Sequence, residues 1–116
     1  MLIDKHIRNQ IIQYSEENRN AEILGAVVNV DGKQEFRRIH NLSAVPVVEY
    51  VADPQGMYDQ LKDTKLFFGQ NEIVCFVHSH QGSPQPSTKD LFHAYRKFPY
   101  LVYSLREKNF KAFEVV

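Results

Sequence analysis

The sequence predicts a single α/β domain spanning residues 1–116, with a mixed central sheet flanked by helices as an α/β/α sandwich. Segments with helical apolar spacing alternate with short runs rich in Val and Ile, the pattern of a sheet covered by helices. The dipeptide Asp31-Gly32 between two such runs is a hairpin signal and makes part of the sheet antiparallel. A chain of 116 residues also has room for one hydrophobic core and not two.

Ile3, Ile7, Ile11 and Tyr14 recur at helical spacing, so a first amphipathic helix is expected over roughly residues 4–18, ended by the polar stretch Glu16 to Asn20. Glu22 to Val30 reads as a strand, Asp31-Gly32 as its turn, and Gln34 to Ile39 as the returning strand. Val47 to Val51, just after Pro46, reads as a further short strand. Asp53-Pro54 is a helix start, with Asp as N-cap and Pro at the first helical position. Met57, Leu61 and the Phe67 region carry that helix to about Phe68, where Gly69 closes it.

Glu72 to His78 is the most apolar segment and is expected as a central, fully buried strand. Gln81 to Pro86, built from Gln, Gly, Ser and Pro, reads as a loop. Ser87 then opens a third helix with Leu91, Ala94, Tyr95 and Phe98 on one face. Tyr100 to Leu105 and Lys111 to Val115 are expected as final strands joined by a turn at Lys108-Asn109. The expected order is α-β-β-β-α-β-α-β-β, without repeat, low-complexity segment or linker.

Charge and cysteine content narrow the functions available. Fourteen basic residues balance fourteen acidic ones, so no net field draws the chain to nucleic acid or to an anionic membrane. Arg37 and Arg38 read as an exposed charged strand. Cys75 is the only cysteine, which excludes an internal disulfide and a thiolate-rich zinc site. It lies in the apolar run Ile73 to Val77 and reads as a small buried hydrophobe. Asp4, Lys5, His6 and Arg8 interrupt the aliphatics of the N-terminus, so no signal-peptide core is expected there. No apolar run is long enough to span a bilayer, and the expected location at synthesis is the cytoplasm.

The chemistry concentrates in His78-Ser79-His80 and the following Ser87-Thr88-Lys89-Asp90. Residues i and i+2 at a strand end project to the same side, so two imidazoles there can share one ion. Neutral imidazole nitrogen is a preferred zinc ligand, Asp90 offers an oxygen, and three protein ligands would leave a fourth position for water, as in catalytic zinc sites. Such a water needs a carboxylate to move its proton. Glu22 heads an otherwise apolar strand, where a carboxylate is costly unless it sits at an exposed end or in a site. Ser87 can donate a hydrogen bond to a developing oxyanion.

Each residue also has a plainer reading. Ser87-x-x-Asp90 ahead of Leu91 fits a helix capping box, a role compatible with facing a metal. His78 and His80 fit a solvated strand end, and Glu22 an edge of the sheet. The coincidence of all four favours the metal reading over any of these alone.

Together these elements resemble the JAMM metalloproteases, also called MPN+ or JAB. Glu22-Ile23-Leu24-Gly25 is similar to the family's E-x-x-G element, and His78-Ser79-His80 with Ser87-Thr88-Lys89-Asp90 to its H-x-H…S-x-x-D element. The resemblance implies an α/β sandwich similar to that of cytidine deaminases. It implies Zn2+ held by His78, His80 and Asp90, Glu22 as acid–base, Ser87 supporting the oxyanion, and hydrolysis of a peptide or isopeptide bond. The chain departs from the family at Gln81, where proline is usual, and in the six residues from Gln81 to Pro86, where seven are usual. Its size and the Val77-His78-Ser79-His80 context look most like prokaryotic and phage stand-alone members, above all the peptidase portion of phage tail-tip assembly proteins. That likeness implies a protein or peptide substrate, with a cell-wall hydrolase domain or tail proteins as partners and incorporation in a virion tail. Other small members process the C-termini of ubiquitin-like sulfur carriers. A non-catalytic binding or scaffold module is the competing reading; a base deaminase on the related fold needs a P-C-x-x-C element that a single cysteine cannot supply.

Overall fold

Ile7 and Ile11, one helical turn apart, are both buried on one side of α1 (Lys5–Glu17), as the apolar spacing requires. In the computed structural model, which describes residues 2–116, they pack against the first face of a five-stranded sheet. The strands are β1 (Leu24–Val30), β2 (Lys33–Ile39), β3 (Glu72–His80), β4 (Tyr100–Ser104) and β5 (Asn109–Phe113), ordered β2-β1-β3-β4-β5. All neighbours are antiparallel except β3 and β4, which run parallel and are joined by a crossover containing α3 (Thr88–His93). The sheet is therefore mixed, with α1 on one side and α2 (Pro54–Leu61) and α3 toward the other, the architecture expected from the sequence.

Strand alternation sorts the core into two layers. Ile23, Val27, Cys75, Val77, Leu101 and Tyr103 join Ile7 and Ile11 in one; Leu24, Ala26, Val28, Phe76 and Tyr100 join Leu61 of α2 in the other. Continuing the period along β3 puts His78 and His80 on the Phe76 side. Asp31 and Gly32 both have positive φ, 50° and 80°, as a two-residue turn between β1 and β2 demands. Cys75 is fully buried, and its thiol is pushed up to about 12 by burial, which suits a core residue and not a nucleophile.

Several boundaries differ from expectation. Residues 47–51 form no strand. Pro46 to Val48 is a turn, and the isolated bridge between Asn41 and Ala52 lies just outside the segment. The Val51 N–H that a neighbouring strand would have bonded goes to the Asn41 side chain, while Val47, Val48 and Val51 face solvent. Helix α2 stops at Leu61, not near Phe68, because the buried Thr64 turns its hydroxyl onto the Leu61 carbonyl at 2.6 Å. Gly69 consequently does not cap a helix; a Cβ there would lie 1.9 Å from the Asp63 carbonyl, so close backbone approach requires glycine.

Helix α3 ends at His93, and the Tyr95 N–H donates to the Tyr100 hydroxyl at 2.7 Å. Leu91 and Tyr95 are accordingly about half exposed, whereas Ala94 and Phe98 pack on the core. At the strand ends, β1 opens at Leu24 with Glu22 just ahead of it, and β3 continues to His80. The last turn occupies Leu105 to Lys108, with Lys108 at φ 58°, so β5 begins at Asn109, before the expected Lys111. Among the described residues, no helix is long and apolar enough to cross a membrane.

Candidate metal centre

His78 sits on the central strand, opposite Leu24 of β1 on one side and Val102 of β4 on the other. Pairing on both edges fixes its backbone, and its side chain is 1% exposed. His80, two residues on, points the same way and is partly open to solvent. Their Nε2 atoms are 3.2 Å apart.

Asp90 reaches them from the first turn of α3. The Ser87 hydroxyl accepts the Asp90 N–H at 3.0 Å, and Asp90 Oδ2 accepts the Ser87 N–H at 2.9 Å, a complete capping box. The same Oδ2 lies 3.1 Å from His78 Nε2 and 2.9 Å from His80 Nε2. Capping and convergence on the histidines thus coexist, and the box is what aims the carboxylate. The six-residue loop from Gln81 to Pro86 reaches this geometry with firm anchors. The Gln81 side-chain amide donates to the Arg19 carbonyl, the Arg106 N–H donates to the Gln81 carbonyl, and the Ser104 hydroxyl donates to the Gly82 carbonyl.

Glu22 completes the group from the opposite side. Its backbone N–H donates to the Pro46 carbonyl, and its own carbonyl accepts from Asn41 Nδ2 at 3.0 Å. Asn41 also donates to the Glu49 carbonyl and accepts from the Ser43 and Val51 N–H groups. A single carboxamide therefore folds the 41–52 loop and clamps it to Glu22. Glu22 is 5% exposed, and its Oε1 has no hydrogen-bond partner among the described residues. Three residues on, Gly25 lets the Phe36 ring lie across β1, since a Cβ would sit 2.4 Å from that ring. Replacing Asn41 by Ala is expected to lower stability by about 2 kcal/mol, because four backbone groups, three of them in half-buried bonds, lose their partner. Faster hydrogen exchange at Ser43 and Val51 should accompany it; unchanged exchange there would show that the loop is held otherwise.

One ligand atom each from Glu22, His78, His80 and Asp90 lies within 4.8 Å of all the others. A tetrahedral zinc with bonds of ~2.0–2.1 Å holds its donors about 3.3 Å apart, close to the 2.9–3.2 Å separations among His78, His80 and Asp90. Two imidazoles and a carboxylate are also donor types zinc takes, and the buried, unpaired Glu22 oxygen leaves one carboxylate free beside them. The residues present fit the metal.

The protonation states agree with that fit. Burial lowers the His78 pKa more than Asp90 raises it, so this imidazole is neutral, the form that ligates. Burial also disfavours a charged His80, but hydrogen bonds to Asp90 and to the Ser83 carbonyl, 3.0 Å from Nδ1, outweigh it and raise the pKa. With Nδ1–H on that carbonyl, the neutral form of His80 presents the Nε2 lone pair to the cluster. Burial alone would raise Asp90; its bonds to His78, His80 and the Ser87 N–H hold it well below the usual carboxylate range. Glu22, by contrast, is pushed up to about 8, chiefly by burial, with His80 pulling it back.

Among the described residues, His6, His40 and His93 are exposed and outside the cluster. Asn41 and Tyr50, whose ring lies 4.7 Å from that of His78, have no counterpart in the sequence reading. Both act from an irregular loop, where neither periodicity nor a spacing motif marks them.

Residues 4–116 match the family model for prokaryotic homologs of the JAB domain. The fold is similar to the solution structure of protein DSY2949 from Desulfitobacterium hafniense, with a TM-score of 0.65 at 18% identity, over 97% of this chain and 88% of that one. At that identity the likeness concerns fold alone. No curated protein matches the chain.

Proposed function

Because this chain belongs to the family of prokaryotic JAB-domain homologues, we propose that it is a zinc-dependent hydrolase of peptide or isopeptide bonds. The observation that carries the reading is the convergence of His78, His80 and Asp90 beside a buried carboxylate with an unpaired oxygen. His78 Nε2, His80 Nε2 and Asp90 Oδ2 are the atoms that would hold the metal. Zinc there supplies Lewis acidity and makes water acidic enough to serve as a nucleophile near neutral pH.

The remaining work falls to the chain. Glu22 accepts the proton of the attacking water on its unpaired Oε1 and returns it to the departing nitrogen. Its raised pKa, near 8 with the pull of His80 included, makes it an adequate acid for the second transfer, and the charge of a bound metal would draw it down toward a working base. The Ser87 Oγ accepts the Asp90 N–H, which leaves the hydroxyl hydrogen to be donated to the developing oxyanion.

The substrate class proposed is a protein or peptide. For the setting we favour a phage tail tip, with tail proteins or a cell-wall hydrolase domain as partners and synthesis in the cytoplasm. What supports it is the motif context Val77-His78-Ser79-His80. Processing of a sulfur-carrier C-terminus uses the same chemistry.

The test is hydrolysis of a peptide and isopeptide panel by metal-stripped protein before and after zinc addition. Zinc-restored, chelator-sensitive cleavage is the expected result; a protein that takes up no zinc contradicts the reading and leaves a binding module. Zinc affinity is also expected to fall as the pH drops through the raised titration range of His80, since the metal must displace that proton. Asp90, held ionised, adds nothing to this dependence above acid pH. Chelator competition at several pH values measures it, and a flat profile would exclude His80 as a ligand.

A further inference from the structure

A cavity of about 310 Å3 opens beside the cluster, on the sheet face between α2 and the end of α3. Phe76, His78 and Tyr100, all buried, form its floor, and Met57 of α2 forms a wall. Val51 and Tyr95, both half exposed, stand at its mouth. The floor therefore includes a member of the cluster itself, so whatever fills the cavity is held within one side chain of the reacting centre. We propose that this cavity is a specificity pocket for an aromatic side chain next to the scissile bond. The assignment to a substrate residue rests on the hydrolytic reading above; the pocket's affinity for an aromatic group does not.

Size and chemistry select that occupant. Sites for whole small molecules run from ~300 to 1,000 Å3, so this one is at the lower limit and suits a side chain better than a cofactor. No Asp, Glu, Lys or Arg lines it; the lining residues that carry polar side-chain groups are Tyr50, His78, His93, Tyr95 and Tyr100, and the Tyr100 oxygen already accepts the Tyr95 N–H. A charged side chain entering it would lose its hydration and meet no Asp, Glu, Lys or Arg to pair with. Phe76 already meets Tyr95 and Tyr100 with ring centroids 5.9 and 5.7 Å apart, so another ring finds edges and faces to pack on. Met57 is an unbranched thioether that adapts to the shape presented.

The test has a binding arm and a catalytic arm. In the first, metal-free protein is titrated with N-acetylphenylalaninamide or N-acetylglycinamide while the methyl signals of Met57 and Val51 are followed by NMR. Saturable shifts at both methyls with the phenylalanine compound, and at least tenfold weaker response to the glycine compound, are expected from burying the ring. Met57→Trp and Val51→Trp, which fill the pocket from the wall and the mouth, should each abolish the shift at the other, remaining methyl while preserving the folded spectrum. Absence of saturable shifts in the unmodified protein, or an equal response to both compounds, overturns the pocket. In the second arm, zinc-loaded protein is given peptides differing only in Phe or Gly beside the cleaved bond. A kcat/KM preference for Phe on the order of tenfold supports the assignment; cleavage without preference overturns it while leaving the hydrolase intact. Probe binding with no cleavage of any peptide keeps the aromatic pocket and counts against the hydrolytic reading.

Discussion

Alanine in place of His78 is expected to eliminate tight zinc binding. The imidazole is fully buried, neutral, and one of three donors, and a catalytic zinc site with two protein ligands is not a stable arrangement. Changes outside the ligand shell already cost 10–100-fold in metal affinity, so removing a ligand should cost on the order of a thousandfold or more. The substitution also strips a hydrogen-bond partner from Asp90 and leaves space on the floor of the aromatic pocket, so some loss of stability will accompany it. His80→Ala, at a partly exposed position, tests the same point with less strain on the core. His6, His40 and His93 are the controls, and alanine at each should leave zinc content unchanged. Stoichiometric zinc in folded His78→Ala and His80→Ala proteins would mean that the metal is held elsewhere.

Glu22→Gln is expected to do the opposite: zinc is retained and hydrolysis falls by about 10^2 to 10^4, the range general acid–base groups contribute. The same variant has a stability signature that needs no substrate. The Glu22 pKa rises from 4.5 to about 8 on folding, so the folded metal-free protein holds a proton there that the unfolded chain gives up. That contribution to stability is complete below pH 4.5 and is lost as pH rises through 8, where a charged carboxylate must stay buried. Glutamine never charges. The variant should therefore be more stable than the parent at pH 9, by an amount on the order of a few kcal/mol, and the difference should shrink toward pH 5. Denaturant unfolding of both metal-free proteins across that range measures it. A difference independent of pH would show that Glu22 is not a buried titrating group, and full activity in the variant would remove it from the mechanism.

The sheet, its hairpin and the three helix starts were legible because local chemistry dictates them. Asp31-Gly32 can form its turn wherever it is placed, Asp53-Pro54 and Ser87 cap their helices with their own side chains, and the apolar period of α1 needs only one partner face. His78, His80 and Asp90 were legible as candidates because strand and capping geometry carry spacing into space, whereas Glu22 stood out as a carboxylate heading an apolar strand and mainly through the family resemblance. What escaped the sequence reading was decided by tertiary contacts. Three valines between 47 and 51 have strand composition, yet Asn41 takes the N–H that a ladder would have used. Thr64 ends α2 several residues before the apolar pattern does, and the Tyr100 hydroxyl diverts Tyr95 from α3. The same long-range bonds build the half of the site that comes from the 41–52 loop, with Asn41 under Glu22 and Tyr50 against His78.

The central claim is that one zinc ion is held by His78, His80 and Asp90. Anomalous diffraction at the zinc edge, from crystals grown with a single equivalent of zinc, tests it most directly. The account predicts one strong peak about 2.0–2.1 Å from His78 Nε2, His80 Nε2 and Asp90 Oδ2, with Glu22 beside it and not bonded. A peak coordinated instead by His6, His40 or His93, or none at the cluster, would contradict it.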